Sequence, residues 1–508
     1  PCVTGNDPYM IGWRRMETSH GEQTPAEESS ESTAQKHSDV DHDKNAVDDR
    51  SLGARMSARI LALPQAQWAA LSGLFALISG VLTYRFMVRH LPLSIVDEFQ
   101  YIDAVNKAQR WDVVLTGDKT DQYARVLAAC RGVGFDNPST VIHQGVCAPY
   151  VPDSDTFIYG YTSADIHSPA YFFLTGWMSW PLQRFLHMEL ITAARLTGAV
   201  WLWLGMVALA WMLRRLGARW GVAVALPIAV ASMPGFRLTN AYVTPDALNL
   251  LAGTLIIASM VLYVRGEWSV WPFIGISIVF SFVKFQNVFC VVAALVFLAW
   301  YVITVLIRRR LNRLGDDETA DGESRLRLPR LWEGIALVVL PLAGSSIWMV
   351  VRTHTVAAVV DRPPLDPPAN LDGLTVFSSL DDAYQLVFAG TGWSGVTSPW
   401  SIFPNVLVAI LVAGAMATAM FDVKATVIER AFARSALLSC TAVGPMTILL
   451  FAIAFGASTG VLNRYVMVLI PVLAVPLCGR LTGKAAQGLL VVFALGALYY
   501  AAHFTYIN

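Results

Sequence analysis

Long apolar runs separated by short polar clusters organise this chain from Leu63 to its C-terminus. A helix needs about 20 apolar residues to cross the hydrocarbon of a bilayer. On that criterion the segments predicted to span are 63–88, 191–213, 220–233, 247–264, 270–283 and 285–307, followed by 331–351, 405–421, 435–457, 465–477 and 485–503. Another apolar segment, 168–186, carries Tyr171, Phe172, Phe173, Trp177 and Trp180 and is predicted to lie at headgroup depth on the outer face, where amphipathic aromatics are enriched. The fold class expected is therefore an all-α polytopic membrane protein of about eleven transmembrane helices, with interfacial helices in its first outer loop.

Residues 1–62 follow a different pattern. From Thr18 to Arg50 the chain is rich in Ser, Glu, Asp, His and Lys with almost no large apolar side chain. Such a stretch buries too little surface to offset the entropy of ordering, so residues 1–62 are predicted to form a disordered cytoplasmic tail ahead of a membrane domain over 63–508. Pro1 is not an initiator, and Met16 and Met56 are candidate starts. No cleavable signal peptide is expected, because the first long apolar run comes late and is long enough to span.

Composition agrees with the pattern. Of 508 residues, 55% are hydrophobic and 15% charged, against about 25% charged in a soluble domain, and the mean hydropathy is +0.50. Thirty-seven basic and thirty-seven acidic residues balance, so there is no basic excess of the kind that draws a protein onto nucleic acid. Position matters more than the total, since cytoplasmic loops retain Lys and Arg. Threading from an internal N-terminus places Arg55 and Arg59, Arg214, Arg215 and Arg219, Arg265, the cluster from Arg308 to Arg330, then Lys424, Arg430 and Arg434, and finally Arg480 and Lys484 on the cytoplasmic side. Counting 168–186 as a span would move Arg214 and Arg215 outside.

The outer surface is then built mainly from loops 89–190 and 352–404. Cys130 and Cys147 both fall in the first, facing an oxidising compartment, and their spacing suits a local disulfide. Cys290, Cys440 and Cys478 lie in or beside spans and read as core residues. The second loop is proline-rich from Arg362 to Pro368 and carries Trp393 and Trp400. Trp393 is a candidate for stacking on a sugar ring, with interfacial anchoring of the loop as the competing reading.

No metal-ligand spacing, phosphate loop or hydrolase elbow is present in the right context. Ionisable groups collect instead at the outer ends of the helices. Asp97 and Glu98 follow the first span, Asp165 and His167 head the interfacial segment, Thr244, Pro245 and Asp246 fall in an outer loop, Lys284 sits at an outward turn, and Arg464 and Tyr465 open the tenth span. Taken singly each suits a helix cap or a snorkelling side chain. As a set they describe a polar cavity with one acidic and one basic wall, because unpaired charge at this depth is costly.

Asp97-Glu98 after the first span, the helix that follows it, His167-Ser168-Pro169-Ala170-Tyr171, Ala194-Arg195-Leu196, Lys284 closing a short span and Arg464-Tyr465-Val466 running into Pro471 together resemble the GT-C superfamily of integral-membrane glycosyltransferases. The resemblance covers most of the chain from Leu63 onward and is one of order and architecture. It departs from the family at His167-Ser168-Pro169, where His-Pro-Pro is usual. It implies sugar transfer on the outer face from a polyprenyl-phosphate sugar donor to a glycan, lipid or protein acceptor. Asp97 would be the general base for the acceptor hydroxyl and Glu98 a second catalytic carboxylate that orients acceptor or loop. Lys284, Arg464 and Arg237 would bind the donor phosphate, and Asp246, His167, Tyr465 and Trp393 the substrates. No metal ligand is assigned, although some members of the family use a divalent cation, Mg or Mn, held by acidic residues. A lipid-linked polysaccharide polymerase or ligase, and then a secondary transporter, are the other classes considered; no internal repeat of the transporter kind is evident.

Overall fold

A computed structural model describes residues 65–89, 91–95, 97–134, 141–312, 328–356, 376–380, 402–422, 425–456 and 463–503. The N-terminal tail, the proline-rich stretch and both Trp393 and Trp400 lie outside these residues.

The segments predicted to span are helical over most of their described length, with 220–233 leaving the helix at Ser232. In chain order the main helices are α1 (Gln65–Arg89), α2 (Glu98–Ala108), α3 (Gln122–Cys130), α4 (Ala170–Leu186), α5 (Leu190–Arg215), α6 (Trp220–Ala231), α7 (Pro234–Ala241) and α8 (Asn249–Val264). They continue with α9 (Trp271–Val283), α10 (Val288–Asn312), α11 (Leu331–His354), α12 (Ile402–Met420), α13 (Val427–Phe455) and α14 (Lys484–His503). Among the described residues the β structure noted is isolated bridges in loops.

Among the described residues eight helices are long and apolar enough to cross a membrane, or nine if the bent pair of α6 and α7 is one span. The expected eleven divide differently for a local reason. Met233-Pro234 breaks segment 220–233, and the two helices meet at 65°, because proline lacks the N–H that would continue the ladder. Helix α9 and the stretch Arg464–Leu477 are apolar but shorter. The latter alternates α and 3-10 turns around Pro471 and Pro476.

Packing places α8 at the centre, between α5, α9, α10 and the stretch Arg464–Leu477. Two glycines permit the close approaches. A Cβ on Gly253 would overlap the Val468 carbonyl oxygen, and one on Gly198 would overlap the Asn240 carbonyl oxygen. Backbones at that separation leave room only for hydrogen. Between α1 and α5, α2 packs on α3 and α4, and Cys130 is joined to Cys147 by a disulfide. Helix α4 buries Tyr171, Phe172 and Thr175 while Trp177 and Trp180 stay exposed, a division suited to a helix lying against a membrane surface.

Candidate functional site

Asp97 and Glu98 are adjacent in sequence and face different surroundings. Asp97 occupies the N-cap position of α2 in the left-handed region, with φ of 57°, a conformation that Asp and Asn tolerate better than other non-glycine residues. Its side chain keeps 34% of its surface exposed. The chain then turns Glu98 inward, where it is fully buried.

Glu98 accepts hydrogen bonds from Arg195 Nε and Nη2, each at 2.8 Å, from the Ser94 amide at 2.8 Å and from the Val243 amide at 3.0 Å. Both oxygens are thus engaged twice. Arg195 is itself 1% exposed, donates to the Pro92 carbonyl at 2.7 Å and lies over the Tyr242 ring. The arrangement ties the first loop, α5 and the extended residues before Asp246 into one unit, and it leaves Glu98 no lone pair for a substrate. Arg195 stood in the sequence only as part of a motif. A lone arginine one and a half turns into an apolar helix is the signal that points to it.

Asp97 faces Arg464, whose Nη2 lies 3.3 Å from Oδ2. The same guanidinium reaches Asp246 Oδ2 with Nη1 at 3.7 Å. Asp246 is buried, pairs with Lys284 Nζ and accepts from Thr244 Oγ1 at 3.0 Å. Lys284 also donates to Asn249 Oδ1 at 2.9 Å, and Asn249 Nδ2 donates to the Arg464 carbonyl at 2.8 Å. Tyr465 lies beneath both cations, with ring centroid distances of 5.2 Å to Arg464 and 6.0 Å to Lys284. The structure therefore brings Asp97, Asp246, Lys284, Arg464 and Tyr465 together. Arg464 Nε and Nη1 donate no hydrogen bond among the described residues.

His167 joins this group through Tyr101, whose hydroxyl lies 3.1 Å from Nε2 and 3.5 Å from Asp97 Oδ2. Burial, reinforced by Lys284 and Arg464 and opposed by Asp246, pushes the imidazole down to about 3, so His167 is neutral at ordinary pH. Burial likewise holds the Tyr101 phenol well above its ordinary range. The loop bearing His167 is pinned from α11: Arg352 Nε donates to Asp165 Oδ2 at 2.7 Å and Trp348 Nε1 to the Asp165 carbonyl at 2.9 Å.

Arg237 is placed elsewhere. Its Nη1 donates to the Ala501 carbonyl of α14 at 2.6 Å, and its guanidinium lies over Phe86. These contacts hold the bent α6–α7 pair against the first and last helices.

Glu98 is taken by Arg195, Asp246 by Lys284, and among the described residues no group of three or more His, Cys, Asp and Glu side chains is arranged to hold a metal.

In structure the chain is similar to ArnT. The comparison is with the crystal structure of ArnT from Cupriavidus metallidurans bound to undecaprenyl phosphate; the match covers 86% of this chain and 77% of that one, at 15% identity and a TM-score of 0.35. No family model matches the chain, and no curated protein does.

Proposed function

We propose that this protein is a membrane glycosyltransferase of GT-C type that moves a sugar from a polyprenyl-phosphate donor to an acceptor hydroxyl. One observation carries the proposal: a partly exposed carboxylate, Asp97, stands at the rim of a buried cluster whose arginine, Arg464, has two N–H groups without hydrogen bonds. A base beside a cationic phosphate seat is what transfer from a sugar phosphate requires.

The acceptor O–H gives its proton to Asp97 as its oxygen bonds to the anomeric carbon. The bond from that carbon to the phosphate oxygen breaks, and the electron pair leaves on the lipid phosphate. Arg464 stabilises the growing charge with its guanidinium, held in place by Asp246 and Lys284. Attack from the opposite face inverts the anomeric centre. Lys284, buried and paired, acts in this scheme chiefly by fixing Asp246 and through it Arg464. Tyr101 and neutral His167 orient the Asp97 carboxylate, and Glu98 with Arg195 positions the turn that presents it.

In this proposal the cluster faces the outside of the cell, and the two short apolar stretches complete eleven crossings in a locally thinned or protein-lined part of the bundle. A lipid-linked polysaccharide ligase shares the need for Arg464 but not for a base at Asp97. Labelled-sugar transfer from polyprenyl-phosphate donors by the purified protein, beside Asp97→Asn, distinguishes them. Asparagine keeps the left-handed backbone. The expected result is a loss of about 10²–10⁴-fold in turnover, the usual worth of a general base, with donor binding retained. Full activity in Asp97→Asn would reject the assigned chemistry.

A further inference from the structure

At the opposite end of the bundle a cavity of about 490 Å³ lies among the C-terminal end of α8, the C-terminal part of α10, the start of α13 and the turn Val475–Leu477. Its floor is apolar, with Leu216, Val261, Ile428 and Phe432, and among the described residues its cations are Arg265 and Arg308. The candidate span that begins beside Asp246 places it in depth. The 20 residues Pro245–Val264 rise about 30 Å, the thickness of a bilayer's hydrocarbon. Arg265 follows at once, so the cavity sits at headgroup level in the leaflet away from Asp97.

We propose that this cavity binds an anionic phospholipid, its phosphodiester on Arg265 and Arg308 and the first part of its acyl chains on the apolar floor. Among the described residues the one carboxylate lining it, Glu429, is already engaged: it caps α13 by accepting from the Thr426 amide at 2.8 Å and lies 3.6 Å from Arg480. Arg265 contacts Glu267 at 3.4 Å and the Arg215 carbonyl at 3.0 Å, with a third of its side chain exposed. An exposed pair of that kind competes weakly with a phosphate. The ligand class follows from the combination of chemistries, because a free phosphate would leave the apolar floor wet, whereas a basic pocket between membrane helices at the lipid boundary suits a lipid headgroup. The volume is that of a ligand-holding pocket.

Native mass spectrometry of the delipidated full chain in detergent, with phosphatidylglycerol against phosphatidylcholine, tests this. Two arginine contacts predict about a 30-fold preference for the anionic lipid, reduced to near unity in Arg265→Gln/Arg308→Gln. Should the double variant fail to fold, Arg265→Gln alone is expected to lose about fivefold. Equal retention of the two lipids by the wild type, a preference unchanged in the variants, or complete displacement of phosphatidylglycerol by millimolar inorganic phosphate would each overturn the assignment.

Discussion

Replacing Glu98 by alanine removes a carboxylate that is 0% exposed and neutralises an arginine 1% exposed through two contacts of 2.8 Å. Arg195 would keep its charge and its bond to Pro92, while the Ser94 and Val243 amides would lose their acceptor. Breaking a buried pair by deleting one partner costs about 3–5 kcal/mol, and each orphaned amide adds about 1–3 kcal/mol where no water reaches it. Partial relaxation brings the expected total to about 5 kcal/mol. Detergent-solubilised wild type, Glu98→Ala, Arg195→Ala and the double variant would be compared by chemical denaturation and by sugar transfer. The double variant should be far less destabilised than the sum of the singles, with a coupling of about 2–3 kcal/mol. Activity should fall with stability, because Asp97 is the residue before Glu98. A Glu98→Ala penalty below about 1 kcal/mol, or additivity of the two singles, would refute the reading of this pair as the pin of the first loop.

Asp103 on α2 gives a pH prediction of definite sign. Burial raises its carboxyl to about 6, against the pull of Lys107 3.0 Å away. A carboxyl that holds its proton more tightly when folded contributes stability that is complete below about 3.8 and lost as pH rises through 6. Exchange of the α2 amides, corrected for intrinsic rate, should therefore be about tenfold slower at pH 5 than at pH 7, and Asp103→Asn should abolish the difference. Gly253→Ala, whose Cβ would overlap the Val468 carbonyl oxygen, should push Arg464–Leu477 off α8; the expected melting penalty is about 1–3 kcal/mol, with donor affinity reduced. Reducing Cys130–Cys147, 17 residues apart, should release about 3 kcal/mol of loop restraint, seen as faster proteolysis within 131–146.

How much of this was legible in advance varies from residue to residue. Asp97, Asp246, Lys284, Arg464 and Tyr465 were each singled out as charges or polar groups at helix ends, and the fold gathers them. Arg237 was singled out on the same grounds and sits instead against α14, since a charge at a helix end does not say which neighbour it meets. Arg195 carried a usable signal, an arginine inside an apolar span. Asn249, which ties Lys284 to the Arg464 carbonyl, carried none, because a polar residue at the start of a helix is ordinary.

The sequence by itself determined that the chain is a bundle of apolar helices, since hydrophobic length is set by the thickness of hydrocarbon and is read from consecutive residues. It also marked where polar groups interrupt them. Only the tertiary structure decided which of these are partners. Glu98 meets Arg195 across 97 positions, Lys284 meets Asp246 across 38 and Arg464 meets Asp97 across 367. A buried charge must be compensated, but composition and period are local, and the compensating group is chosen by how the helices pack.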